Sequence, residues 1–363
     1  MKFQHRLLAI LGLLFILFPT YSTAQSVFDD IRFSGQFFGA FEYTETDGEK
    51  FNQFALERGY ITFRKNVSDR IGMRFTQDVT IDEEGDGEGD IELRLKYALV
   101  NFNMDDYGLF YSPMAEFGVV RRPWVDFEQT INDYRMQGSM FLDREKIAPS
   151  ADYGMTFSAM LGPQLENARE LNLSRSSAGK YGSFAFGIYN GGGYSQLEKH
   201  SNKVIEGRLT LRPFWNILPG FQLTYAGAYG KGNHPDGPNF DMHVGYASFS
   251  SRWIVLSAQA YTGHGDSAGR RMTINKDGLA MNGFSGFTEI MPFKVPLRLV
   301  GRYDVLNDKQ SNSMLLQRGL LGLAWRFPNG SKIMLDFERD EFYLSNGQTT
   351  ISNIFEIASE IRF

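Results

Sequence analysis

The densest charge chemistry in this sequence lies between residues 120 and 151. There Arg121, Arg122, Arg135, Arg144 and Lys146 are interleaved with Asp126, Glu128, Asp133, Asp143 and Glu145. Guanidinium groups take carboxylates and other oxyanions in bidentate fashion. Interleaved charge of this kind either braces a segment against itself or presents a field to a passing solute. A second set of bases falls on alternate residues of extended segments: Arg58, Arg64, Arg74, Arg94 and Lys96 early in the chain, Arg302, Arg318 and Arg326 late. Glu42, Asp78, Asp336, Glu338, Glu356 and Glu360 share that parity, with acids concentrated near the end. Cross-strand ion pairing and a charged channel wall are both open readings of this pattern.

Other chemistries find little support. There is no cysteine, which removes thiolate nucleophiles and thiolate metal ligands. His200, His234, His243 and His264 form no i, i+4 pair of the kind that grips a metal. The acidic run Asp82–Asp90 has glycines that mimic a phosphate cradle, but its carboxylates would repel phosphate. Read as a calcium loop, it places Leu93 where the twelfth-position acid belongs. It reads as a hydrophilic loop tip. No enzyme, cofactor or metal is expected. A formal charge of −5 without a clustered basic face also argues against nucleic acid.

The elements that must position these charges are strands. Ile71, Met73, Phe75, Val79 and Ile81 alternate with Gly72, Arg74, Thr76, Asp78 and Thr80; Ile91, Leu93, Leu95, Tyr97 and Leu99 alternate with Glu92, Arg94, Lys96 and Ala98. Period-two alternation marks a strand with two unlike faces. Sixteen such segments are expected between residues 31 and 363. Short links near 67–68, 105–106, 251–252, 292–296 and 328–330 alternate with longer stretches such as 44–53, 82–90, 120–151 and 264–277. Segment 163–180 is long where a short turn is due, and a short helix is expected near 165–171.

Ahead of the strands, Lys2 and Arg6, an apolar run from Leu7 to Phe18 and Ser22-Thr23-Ala24 form the three parts of a cleavable export signal. Residues 1–24 are read as that signal and 25–363 as one domain. Aromatics at strand ends (Phe41, Tyr43, Trp215, Tyr261, Trp325, Phe327) suit interfacial girdles. With strands of ten or more residues and alternating connections, they favour an all-β, sixteen-stranded antiparallel transmembrane β-barrel with long outer loops and short periplasmic turns. A soluble sandwich is the weaker alternative.

In these features the chain resembles a Gram-negative outer-membrane porin, and its last strand, ending Ile361-Arg362-Phe363, resembles a barrel-assembly signal. A narrower likeness is to the phosphate-selective porins, carried by Leu93 to Glu128 with Gly118-Val119-Val120-Arg121-Arg122-Pro123-Trp124, although Arg121, Arg122 and Trp124 depart from that family's usual residues. The resemblance implies a third loop, 120–151, folded into the lumen as a constriction. Arg121, Arg122, Asp126, Glu128, Asp133 and Arg135 are its expected constriction residues, facing a wall of Arg58, Arg74, Arg94 and Lys96, with Phe363 as the assembly signal. It also implies passive diffusion of small hydrophilic solutes and ions, or an anion- or phosphate-selective variant. Implied partners are outer-membrane lipid and lipopolysaccharide, the barrel assembly machinery and two further copies in a homotrimer. An outer-membrane enzyme or a loop-based adhesin is the rival from another class.

Overall fold

The computed structural model describes residues 30–82, 87–171, 173, 177–292, 294–311, 313–344 and 346–363. The expected export signal, 1–24, lies outside them. The strands are β1 Arg32–Thr46, β2 Glu49–Asn66, β3 Ile71–Ile81, β4 Ile91–Asn103, β5 Phe110–Arg121, β6 Ala151–Leu161, β7 Gly182–Tyr189 and β8 Val204–Leu211. They continue as β9 Phe221–Lys231, β10 Asn239–Ser250, β11 Ile254–His264, β12 Ala280–Ile290, β13 Leu297–Asp308, β14 Ser313–Arg326, β15 Lys332–Tyr343 and β16 Thr349–Arg362. Each strand pairs with its neighbours in sequence, and β1 closes on β16 with Gln36 opposite Arg362 and Thr46 opposite Ser352. The expected sixteen-stranded antiparallel barrel is therefore the fold.

Closure removes every free edge, so each strand finds its backbone partners within the barrel. The two faces follow from parity. On β14, Leu321, Leu323 and Trp325 point out, with Leu321 68% exposed, while Arg318, Leu320 and Ala324 are buried inside. Large apolar side chains on the outside and charged ones within are the reverse of a soluble protein, and suit a hydrocarbon surround. Twelve residues rising about 3.4 Å each and tilted about 45° cover a band of roughly 28 Å, enough for that purpose.

Two connections and one expected girdle residue depart from the expected pattern. The stretch 44–53 is not a loop: β1 and β2 run on to a two-residue turn, Asp47-Gly48, both with positive φ (50° and 94°). That backbone matches the twist of a hairpin and favours Asp-Gly. Segment 163–180 carries turns around 166–171 instead of the expected helix, and Leu165, Ala168 and Ala178 pack beneath Met160. Tyr261 faces inward and is buried, so it does not belong to an outer girdle.

A β-bulge produces the change that matters most for the lumen. Thr76 pairs with Tyr97, but Gln77 pairs with Leu95, leaving Lys96 unmatched. Two residues then oppose one, which resets the parity of the rest of β4. Tyr97 and Leu99, which the alternation groups with outward Ile91 and Leu93, are buried on the inside.

Candidate pore constriction

The folded-in loop begins where β5 stops. Pro123 cannot donate to a ladder but suits the first turn of a helix, and helix α1 spans Pro123–Ile131. Trp124, Phe127, Glu128 and Ile131 form its buried side, whereas Asp126, Gln129 and Thr130 keep some exposure. The Trp124 and Phe127 rings meet Tyr246 of β10 at 5.2 and 6.2 Å, and the Arg208 guanidinium lies 4.3 Å from the Phe127 ring. Glu206 of β8 secures the helix start. Its Oε1 accepts the Trp124 N–H at 2.8 Å and its Oε2 accepts from Arg122 at 2.6 Å. A carboxylate at a helix N-terminus satisfies an orphan donor and complements the helix dipole.

Past α1 the loop crosses the lumen and is tied to the far wall at successive points. Asp133 accepts from Arg326 and Arg362, each at 2.6 Å, and lies 3.2 Å from Lys332. Burial works against ionisation of Asp133, yet Lys332, Arg362 and Arg326 hold its carboxyl below the usual carboxylate range. Arg302 donates to the Ser139 carbonyl at 2.8 Å. Arg144, at the end of the short helix α2 (Phe141–Arg144), is held in bidentate fashion by Glu338 at 2.5 and 2.9 Å. Arg318 joins Glu145 to Asp340, with contacts of 2.9 Å to each.

Apolar side chains complete the seat. Tyr134, Met136, Met140, Phe141 and Leu142 pack with inward-facing Phe240, Met242, Val244 and Val255. This half of the lumen is a hydrophobic core. β10 shows how: its apolar parity turns inward, and Asp241, His243 and Gly245 take the outward one.

One side is left open. Between α1 and the wall of β1–β4 lies a cavity of about 370 Å³ that reaches the barrel end carrying β1's start and Arg362. Its lining includes Arg64, Arg74, Lys96 and Tyr97 on the wall, with Asp126, Gln129, Asp133 and Arg135 on the loop. Asp126 and Asp133 border this cavity with side chains 28% and 27% exposed, while Arg58, Arg94 and Arg121 lie outside its lining but keep side-chain exposures of 32%, 29% and 25%. Arg121 is held by Glu116 at 2.7 Å and Asp126 at 3.5 Å. Arg135 donates to the Tyr60 hydroxyl at 2.7 Å, and Arg74 lies 4.1 Å from the Tyr97 ring.

Two of the expected constriction residues sit elsewhere. Arg122 has no exposed side-chain surface and is locked between Glu206 and Asp152, at 2.6 and 3.7 Å. Glu128 lies on the buried side of α1, where burial pushes its carboxyl up to about 8. Lys96 belongs to the wall but is covered: its Nζ reaches Ser150 Oγ at 3.0 Å and lies 4.9 Å from the Tyr194 ring. Phe363, 62% exposed, stacks on Phe37 at 6.1 Å.

Sequence reasoning missed Glu206 as the loop's anchor, Tyr97 in the lumen, and Tyr194, whose hydroxyl donates to Asp78 at 2.7 Å. It also passed over Gly265-Asp266-Ser267-Ala268-Gly269, which has the G-x-S-x-G spacing of a hydrolase nucleophile elbow. That motif needs a strand–turn–helix setting. Here turns follow β11, Ser267 is buried with its N–H on the Ile147 carbonyl at 2.9 Å, and the Asp266 carboxylate accepts from the backbone of Ala268 and Arg270. The segment seats the folded-in loop.

No protein-family model matches the chain, and no curated protein does. Solved structures do. OmpF of Salmonella typhi, determined in complex with daunomycin, is similar over 91% of this chain and 97% of its own, with 13% identity and a TM-score of 0.61. An anion-selective porin from Comamonas acidovorans is similar over 91% and 99%, with 11% identity and a TM-score of 0.61. OmpT, an outer membrane protein of Vibrio cholerae in its trimer form, is similar over 92% and 99%, with 9% identity and a TM-score of 0.57. Together with the closed barrel and its inward loop, these likenesses give the chain the sixteen-stranded fold of the Gram-negative outer-membrane porins.

Proposed function

We propose that this protein is an outer-membrane diffusion channel for small hydrophilic solutes and ions, with the cavity between α1 and the β1–β4 wall as its narrowest passage. The observation that carries this is the asymmetric seating of the loop: many buried ion pairs and apolar contacts join it to β8–β16, while toward β1–β4 it makes fewer polar contacts, Arg135 to Tyr60 and Ser150 to Lys96 among them, and borders a cavity. Arg121, Asp126, Asp133 and Arg135 would form the constriction, facing Arg58, Arg74 and Arg94. Arg122 and Glu128 would hold the loop in place.

The charge of the lining favours anions. Arg64, Arg74, Lys96, Arg135 and Arg362 border the cavity against Asp126 and Asp133, and a surplus of one sign in a confined aqueous passage selects the other. One of the structural likenesses is to a porin described as anion-selective, in keeping with this reading. The exposed apolar belt would face outer-membrane lipid, with lipopolysaccharide on the loop side, and the terminal Phe363 strand would be read by the assembly machinery after export. A homotrimer is the proposed assembly. Purified protein in planar bilayers should give discrete conductance steps and a reversal potential on the anion side in a KCl gradient. Absence of steps would refute the channel, and a cation-side potential would refute the selectivity.

A further inference from the structure

Barrel closure gathers a group of acids that lie far apart in sequence. Glu356 of β16 is directly opposite Glu42 of β1 on one side and Asp336 of β15 on the other. Glu57 of β2 completes the group: Glu42, Glu57 and Glu356 each offer a carboxylate oxygen, and these oxygens lie within 4.8 Å of one another. Packing like charges this closely is costly unless something of opposite sign joins them. The arginines reaching this wall are committed elsewhere, Arg144 to Glu338 and Arg318 to Asp340 and Glu145.

A second observation points to a ligand. Asp336 is 4% exposed and Glu356 8% exposed, yet both Asp336 oxygens and Glu356 Oε1 are buried without a hydrogen-bond donor from the protein. Buried carboxylates ordinarily have such partners. Glu42 and Glu57 are only half-buried, and Glu42 accepts from exposed Gln53 at 3.0 Å, so the group opens toward the long-loop end of the barrel.

We propose that Glu42, Glu57 and Glu356, backed by Asp336, form a binding site for a hard divalent cation of the calcium type. All-oxygen, carboxylate-rich donor sets select such ions over softer metals. Donors on a shell of about 2.4 Å radius stand no more than about 4.8 Å apart, and the three oxygens here fall within that limit. The site stands on this geometry alone and holds whether or not the barrel conducts. If it does conduct, the ion would cancel two of four negative charges on the long-loop approach to the constriction.

The test is calorimetric titration of CaCl2 into the folded full-length chain, stripped with chelator, in detergent at pH 7.5. One saturable, chelator-reversible site per chain is expected. Glu42→Gln and Glu356→Gln should each weaken it tenfold or more, while Glu88→Gln, in the separate acidic run, leaves it unchanged. Calcium should also raise the thermal transition of the unsubstituted chain and not that of Glu356→Gln, which shows that the variant is folded and unresponsive. No saturable binding, binding undiminished in both cluster variants, or binding lost in Glu88→Gln would each overturn the assignment.

Discussion

Replacing Arg74 with Gln isolates the charge of the passage. The Arg74 guanidinium lies on Tyr97 at 4.1 Å and its Nε donates to Thr76 Oγ1 at 3.1 Å, so Gln keeps polar reach while removing the charge. A space of 370 Å³ has an equivalent radius of about 4.5 Å, which sets a lining charge roughly 6 Å from an ion at its centre. In water, unit charges at that distance interact by about 0.7 kcal/mol. Screening at 0.1 M salt, with a Debye length of about 10 Å, leaves about 0.4 kcal/mol. The sign reverses for a cation, so anion and cation differ by about 0.8 kcal/mol per charge, roughly fourfold in permeability ratio. At 1 M the Debye length is about 3 Å and the effect shrinks to about 1.4-fold. Reversal potentials in KCl gradients centred on these two concentrations read both values. An unchanged ratio at low salt, or an equal shift at both concentrations, would refute the reasoning.

Two further substitutions probe the seating of the loop. Arg122→Ala strips Glu206 of its buried partner and should cost about 3–5 kcal/mol, seen as a lower unfolding temperature in gel-shift melting; an unchanged transition would mean that Arg122 does not anchor the loop. Glu128 has a folded-state pKa of about 8 against an ordinary 4.5, so the folded chain binds the extra proton between those values and loses stability as pH rises through them. Glu128→Gln should flatten that slope and melt higher than the unsubstituted chain at pH 9 but not at pH 5. Parallel melting curves at the two pH values would contradict the buried placement.

Much of the barrel is legible in the sequence because alternation is a local property: Ile71 to Ile81 declares its two faces without reference to any partner strand. The charged loop is legible for a similar reason, since so long a connection between strands stands out. What escapes is whatever depends on pairing. Tyr97 enters the lumen beside Lys96 only because β4 slips by one residue against β3. Arg121 and Arg122 are chemically alike, yet the first reaches water and the second is locked under Glu206, a residue 84 positions away. The basic residues of β2–β4 and the acidic ones of β15 and β16 lie far apart in sequence, but closure of β16 on β1 sets them almost side by side. The inverted β10 is visible in the alternation of Phe240, Met242, Val244 and Tyr246, but its orientation depends on the loop that packs against it.

The absence of cysteine gives the most direct test of the passage. Gln129 lies on the open face of α1 and borders the cavity, so Gln129→Cys introduces one thiol into an otherwise thiol-free chain. Single-channel current is then recorded before and after a charged methanethiosulfonate reagent. The account predicts stepwise loss of current in the variant and none in the unsubstituted protein. Full current through a channel whose labelling is confirmed by mass would place the conducting path elsewhere and contradict the account.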